Sequence, residues 1–438
     1  MSKEENRKNF SKYVSQNILG MIGFSCYVLA DSYFISIAKG ADGLTALNLV
    51  MPLYSIIFSI GEMIGVGSAI RYAISKIKKD ADADDYFWNA LIWCIMSSMI
   101  FVFAGIFFSA DIMRVLGADE HIVAVGNNYT KIFMCFAPMF MCNYVTNAFV
   151  RNDGAPGIAM SATLFSSLFN IVFDYILMFP MNLGMEGAAL ATALSPIIGM
   201  GICSIHFFSK KSSVRLVVCK PSVRKLVAGS QLGVSAFVGE MSSAVITLAF
   251  NFVILKLAGN VGVAAYGVVA NIAIVTTAVF NGVAQGSQPL ISSCFGRGDK
   301  DGCTQLKRMG YTTAFVLAAV MYSILFIFAG QFVAVFNSEG SEMLRLYATE
   351  GVKLYFIGIF FAGINIVGSG VFSATQEAVK AAVVSVARGF VFILGFVFLL
   401  SYLFEMTGVW LAYAAAEGAT CVLMFVMLIS DRSKMRNK

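Results

Sequence analysis

The chain has 438 residues, of which 58% are hydrophobic and 13% charged, with 39 Phe and a formal net charge of +6. Soluble domains carry roughly 25% charge and about 45 to 50% apolar residues, so this composition excludes a soluble globular protein and marks an all-α polytopic membrane protein. The positive excess calls for no nucleic-acid partner, because basic loops gathered on one face of a lipid bilayer produce it.

Apolar stretches long enough to cross a bilayer, about 20 residues each, recur near 13–38, 44–72, 87–108, 122–150, 157–180, 186–208, 227–256, 262–293, 311–336, 344–373, 378–404 and 406–430. They predict twelve transmembrane helices, several long enough to tilt, bend or protrude. The polar start MSKEENRKNFSKY leads into a span too long for a signal peptide and without a small-residue cleavage site, so the first helix is expected to stay in the mature protein. With the amino terminus inside, 25 of the 31 Lys and Arg fall in cytoplasmic segments, and only Lys39, Arg114, Lys131, Lys256, Arg345 and Lys353 fall outside. Both termini are therefore expected in the cytoplasm.

The longest polar interruption in mid-chain is SKKSSVRLVVCKPSVRK, Ser209 to Lys225. It divides the chain into an amino-terminal six-helix lobe at 1–208, a cytoplasmic linker at 209–226 and a carboxy-terminal six-helix lobe at 227–438. A shift of 219 residues superposes Gly40 on Gly259, Gly43 on Gly262, Ala46 on Ala265, Gly67 on Gly286, Ser68 on Ser287 and Asp80 on Asp299. Further on, Asn143 meets Asn365, Gly187 meets Gly408 and Ala191 meets Ala412. Both halves start on the same side, so the repeats are parallel, and such a pair encloses a central cavity that rocking can open to either side.

Three polar residues stand out against this apolar background: Asp31 in the first span, and Asn170 and Asp174 in the fifth. A carboxylate at membrane depth costs roughly 2.5 to 3.5 kcal/mol on insertion scales, so its retention suggests an ion path or coupling site. Asn170 and Asp174, four residues apart on a helix, share a face. Two neighbouring carboxylates can share one proton, and carboxylate and amide oxygens also suit a sodium ion. The plainer alternative is that each hydrogen-bonds a neighbouring helix. The repeat favours the ion site, because Phe250 stands at the position matching Asp31 and the apolar run Phe392 to Phe396 matches Asn170 to Asp174.

Other intramembrane charges divide differently. Glu240 in span 7 would place a negative group in the second lobe, suited to a cationic substrate, or would reach headgroup water. Glu62 and Glu417 read more simply as structural, and Arg388 as snorkelling to the cytoplasmic surface. Pro52 and Pro289 would permit bends, and Gly61 with Gly65 and Gly282 with Gly286 give the spacing of close helix packing. His121 and His206 lack metal-ligand spacing, the nine Cys contain no C-x-x-C pair, and the glycines around Gly296 and Gly298 lack a P-loop Lys-Ser/Thr. No enzymatic constellation, metal site or organic cofactor is expected.

Three stretches together resemble the multidrug and toxic compound extrusion (MATE) family, in particular its DinF-like prokaryotic branch: ADSYFISIAKGADGLTALNLVMPL at 30–53, RNDGAP from Arg151 to Pro156, and NIVFDYILMFPMNLGMEGAALATALS at 170–195. The resemblance implies an antiporter of the bacterial inner membrane, in which Asp31, Asn170 and Asp174 bind H+ or Na+ and Thr192 and Asn147 line that site. It also implies that Glu240 contacts the substrate, an organic cation or amphipathic drug, and that the protein works as a monomer. Two departures stand out: Gln16 lies where some members have an early proline in span 1, and SATQEAVK after span 10 lacks the Arg and Gly of RNDGAP. A lipid-linked sugar flippase of the same superfamily and an exporter of an endogenous metabolite are the alternatives; the flippase predicts a basic cavity.

Overall fold

A computed structural model describes residues 3–215, 217–336 and 341–436; Lys438, of the basic carboxy-terminal run, lies outside them. No strand occurs among the described residues. In hydrocarbon every backbone N–H and C=O must be satisfied within its own segment, and helices do this. The first bundle comprises α1 (Lys3–Gly40), α2 (Asp42–Lys78), α3 (Asp85–Val115), α4, α5 (Pro156–Met178) and α6 (Gly184–Phe207). Helix α4 is a pair, Glu120–Cys135 and Ala137–Asn152, bent by 46°. The second bundle comprises α7 and α8, which divide Val223–Gly296 at Gly259, then α9 (Lys300–Ile327), α10 (Glu342–Ala374), and α11 and α12, which divide Ala378–Leu428 at Phe404 and Glu405.

The turns between paired helices fall at the repeat-related glycines. Gly40 has φ 58° and ψ −142°, and Gly259 has φ 61° and ψ −156°. Side chains are rarely found in that region, which glycine enters without strain; at the division of α11 and α12 Glu405 takes it with φ 51° and ψ −132°. Pro52 and Pro289 do not break their helices, whose non-helical dihedrals are confined to the two glycines.

Helix α7 begins at Val223, inside the segment expected as linker, because the Ser222 hydroxyl accepts a hydrogen bond from Lys225 N (3.4 Å) and starts the helix. The preceding linker is tied down by Asp153 of the RNDGAP turn. Its carboxylate accepts from His206 Nε2 (2.8 Å), Tyr72 Oη (3.2 Å), Ser212 Oγ (3.1 Å) and Ser213 N (2.8 Å). One buried side chain thus joins α2, α4, α6 and the linker.

Each bundle has its own apolar core, and the first turns of α1 and α7 cross between them. Phe10 and Val14 pack into the second bundle's core, and Leu232 into the first's. The crossing is close because glycines line it. A Cβ on Gly67 would stand 2.2 Å from the Gly229 oxygen and 2.7 Å from Gly233 N, and one on Gly233 would stand 2.0 Å from Met63 O. On the other side a Cβ on Gly286 would lie 2.8 Å from Val14 Cα, and one on Gly282 would lie 2.6 Å from Ile18 Cα. Under the 219-residue shift Gly67 becomes Gly286 and Val14 becomes Gly233, so α2 against α7 and α8 against α1 are the same contact used twice.

Adding one methyl at this seam is expected to force the bundles apart. Gly233→Ala should lower stability by about 1 to 3 kcal/mol through overpacking, read as a lower melting temperature of the purified protein. Gly239→Ala, at a helical glycine with nothing within 4 Å, should match or exceed the parent.

Candidate functional site

Asp31, on α1, is 6% exposed, while Asn170 and Asp174, one turn apart on α5, are fully buried. With the Asn170 amide nitrogen donating to Asp174 Oδ2 at 3.0 Å, its oxygen accepts from Thr192 N (3.2 Å) and Thr192 Oγ1 (3.1 Å). Helix α6 thereby orients the amide, and the amide orients the carboxylate. The Asp31 and Asp174 charges interact across the α1–α5 contact. The Oδ1 atoms of both are buried and have no hydrogen-bond partner. Two neighbouring carboxyl groups with idle oxygens offer acceptors for a proton or a hard cation.

Three tyrosines that the sequence reading did not single out complete these surroundings. Tyr54 of α2 and Tyr129 of α4 share a hydrogen bond between their hydroxyls, and both feel the charges of Asp31 and Asp174. Tyr27 lies one turn before Asp31 on α1, and feels the charges of Asp31, Asp174 and Glu240. Its spacing from Asp31 was the available signal.

A cavity opens from the first bundle toward the second: helices α1, α2, α4, α5 and α6 form most of its wall, and Glu240 of α7 with Asn281 and Gln285 of α8 face it. Asn147 lines it, its amide donating to Ala159 O (3.2 Å) and Thr163 Oγ1 (3.1 Å). Glu240 reaches it from α7 and Glu62 from α2. The structure therefore gathers Asp31, Asn170, Asp174 and Thr192 in one place, and Asn147 and Glu240 in another.

Two arginines differ from expectation. Arg151, counted from sequence as a cytoplasmic loop cation, is 5% exposed because α4 continues through it to Asn152 and turns it inward. It donates to Asn17 Oδ1 (3.0 Å) and to Gln285 Oε1, and Gln285 Nε2 donates to Glu62 Oε1 (3.4 Å). An amide such as Gln285 inside an apolar span was a legible signal. Arg388 does not snorkel: its Nε donates to Glu417 Oε1 at 2.5 Å, and Glu417 Oε2 also accepts from Asn365 Nδ2 at 2.8 Å. Pairing within the bundle gives each charge its partner, with Glu417 buried and Arg388 partly exposed. Among the described residues no group of three or more His, Cys, Asp and Glu could hold a metal ion.

Among the described residues, twelve long helices in two parallel bundles, with buried ionisable groups gathered inside them, give the architecture of a membrane transporter. The MatE family model matches residues 17–176 and 236–403, and the chain belongs to that family, whose members are transporters and not enzymes. The multidrug export protein MepA of Staphylococcus aureus (strain MRSA252) is 27% identical over 429 residues, covering 95% of this chain and 92% of the relative. MepA of Staphylococcus saprophyticus is 25% identical over 420 residues, with the same coverage. The fold matches an outward-facing multidrug resistance MATE family transporter of the MOP superfamily, with a TM-score of 0.92 at 20% identity over 99% of this chain and 97% of that one. It also matches a MOP superfamily transporter from Pyrococcus furiosus, whose binding pocket is described as reversed in polarity, with a TM-score of 0.90 at 20% identity over 98% and 97%.

The Arg388–Glu417 pair is expected to be structural. Glu417→Gln should cost roughly 3 to 5 kcal/mol by leaving a guanidinium uncompensated, and adding Arg388→Met should recover much of that loss in a thermal melt.

Proposed function

We propose that this chain is a secondary active multidrug exporter of the bacterial inner membrane, both termini cytoplasmic, that expels organic cations or amphipathic drugs in exchange for H+ or Na+. The observation that carries the reading is the pair of idle carboxylate oxygens on Asp31 and Asp174, within one bundle and outside the lining of the central cavity. An ion entering that site has oxygen ligands waiting, while a larger solute has the cavity and Glu240. The names of the staphylococcal relatives support export of drugs.

Exchange follows if the ion and the solute differ in their affinity for the two arrangements of the bundles. An ion at Asp31, Asn170, Asp174 and Thr192 neutralises α1 against α5 and favours the arrangement that releases solute outside; its departure to the cytoplasm permits reloading. No organic cofactor enters this cycle, and one chain in the bilayer suffices. A sugar-lipid flippase would need a basic cavity, whereas the charged lining residues among those described are Glu62, Glu240 and Arg151.

Dye efflux from proteoliposomes under an imposed pH or sodium gradient tests this. Gradient-driven efflux is expected to fall at least roughly tenfold in Asp31→Asn and in Asp174→Asn, since each removes a charge that the ion must meet. Wild-type rates in both variants would remove the proposed coupling site, and the gradient that drives the parent identifies the ion.

A further inference from the structure

Glu62 has no assigned role, yet its position is specific. It is 9% exposed, lines the central cavity from α2, and its charge interacts with that of Glu240 on α7. The two carboxylates therefore face one space from opposite bundles. The charged residue on the same lining that can offset them is Arg151, whose guanidinium is anchored by Asn17 and Gln285 while its buried Nε stays without a partner. With both carboxylates ionised, the described lining carries one negative charge in excess, and a net charge in such surroundings needs a counterion. Phe24, Tyr27, Phe58, Phe140 and Tyr144 form much of the remaining wall, and aromatic faces attract cations.

We propose that Glu62 and Glu240 together hold the charged group of one singly charged organic cation across the boundary between the bundles, with Arg151 as the fixed countercharge. The inference rests on the reading of the chain as an exporter of organic cations, and adds a second anionic contact and a charge limit on the solute. A dication would leave one positive charge unmatched. Placement also links binding to conformation. Glu62 lies five residues before Gly67 on α2, and Glu240 seven after Gly233 on α7, the glycines at which these helices touch. Parting the helices at that contact parts the carboxylates, so a cation between them holds the contact closed.

Calorimetric titration of the full-length protein in nanodiscs at one fixed pH tests this, with tetraphenylphosphonium as the singly charged probe and decamethonium as the doubly charged one. The Kd for tetraphenylphosphonium is expected to rise about tenfold or more in Glu62→Gln and in Glu240→Gln, while Glu62→Asp, which keeps the charge, stays within about threefold of wild type. Arg151→Gln should shift the ratio of affinities toward decamethonium. Wild-type affinity in Glu62→Gln beside a weakened Glu240→Gln would overturn the role of Glu62 and leave the exporter reading intact. A loss in Glu62→Asp as large as in Glu62→Gln, although the charge is kept, would make Glu62 a residue that holds the bundles together and overturn its contact with the cation. An unchanged probe ratio in Arg151→Gln would overturn the charge limit. No saturable binding of either probe to the wild type would remove both the inference and the organic-cation reading beneath it.

Discussion

Contact between the bundles at the end carrying the linker is the constraint on which the rest of this molecule depends. Backbone meets backbone at Gly67 with Gly233 and at Gly286 with Val14, and close approach of this kind is what glycine provides in membrane helices, where lipid leaves little hydrophobic drive for association. The contact is made twice, by elements related through the repeat, so it behaves as a paired hinge surface. Several polar groups of the cavity sit at or near it on the same helices: Glu62 and Gln285 on the arms that hold the glycines, Asn17 and Glu240 on the arms that meet them. Side chains bulky enough to separate these helices would also separate the groups that form the cavity.

The two bundles share a backbone plan but treat buried charge in opposite ways. In the second, Glu417 is matched by Arg388 and by the amide of Asn365, so no capacity is left over for a cation. In the first, Asp31 and Asp174 have each other's charge and an amide, and each keeps an oxygen without a partner. A cation can enter there without displacing a resident one. That difference, more than the mere presence of carboxylates, is why one bundle suits ion binding. It turns the asymmetry of the repeat into a chemical argument.

Much of this was legible in the sequence, and the limits have a physical cause. Apolar run length sets the helices because the bilayer has a fixed thickness. The matched Gly40 and Gly259 mark turns because glycine takes their dihedrals without strain, and the four-residue spacing of Asn170 and Asp174 fixes a shared face. What periodicity cannot supply is the identity of a partner on another helix. Arg151 and Arg388 lie near span ends, where a long basic side chain can turn either outward or inward, and the choice is decided by Asn17, Gln285 and Glu417 on helices distant in sequence. The Asn147 amide was placed with the ion site because its stretch resembles that of the family, yet its hydrogen bonds run to α5 residues beside the cavity.

Helix α1 bears on how two separate sites act together. It runs without a break from Lys3 to Gly40 and carries, in order, Val14 and Ile18 at the glycine contact, Asn17 against Arg151, Tyr27 on the cavity wall, and Asp31. The early proline of some family members is absent, and the backbone stays helical through Gln16, Gly20 and Gly23. A continuous helix transmits displacement along its axis and rotation about it, so in the proposed cycle an ion at Asp31 would act on the cavity wall through Tyr27 and on the bundle contact through Val14. Under that proposal the ion and the solute need not touch to influence one another, since both would bias the position of the same helix.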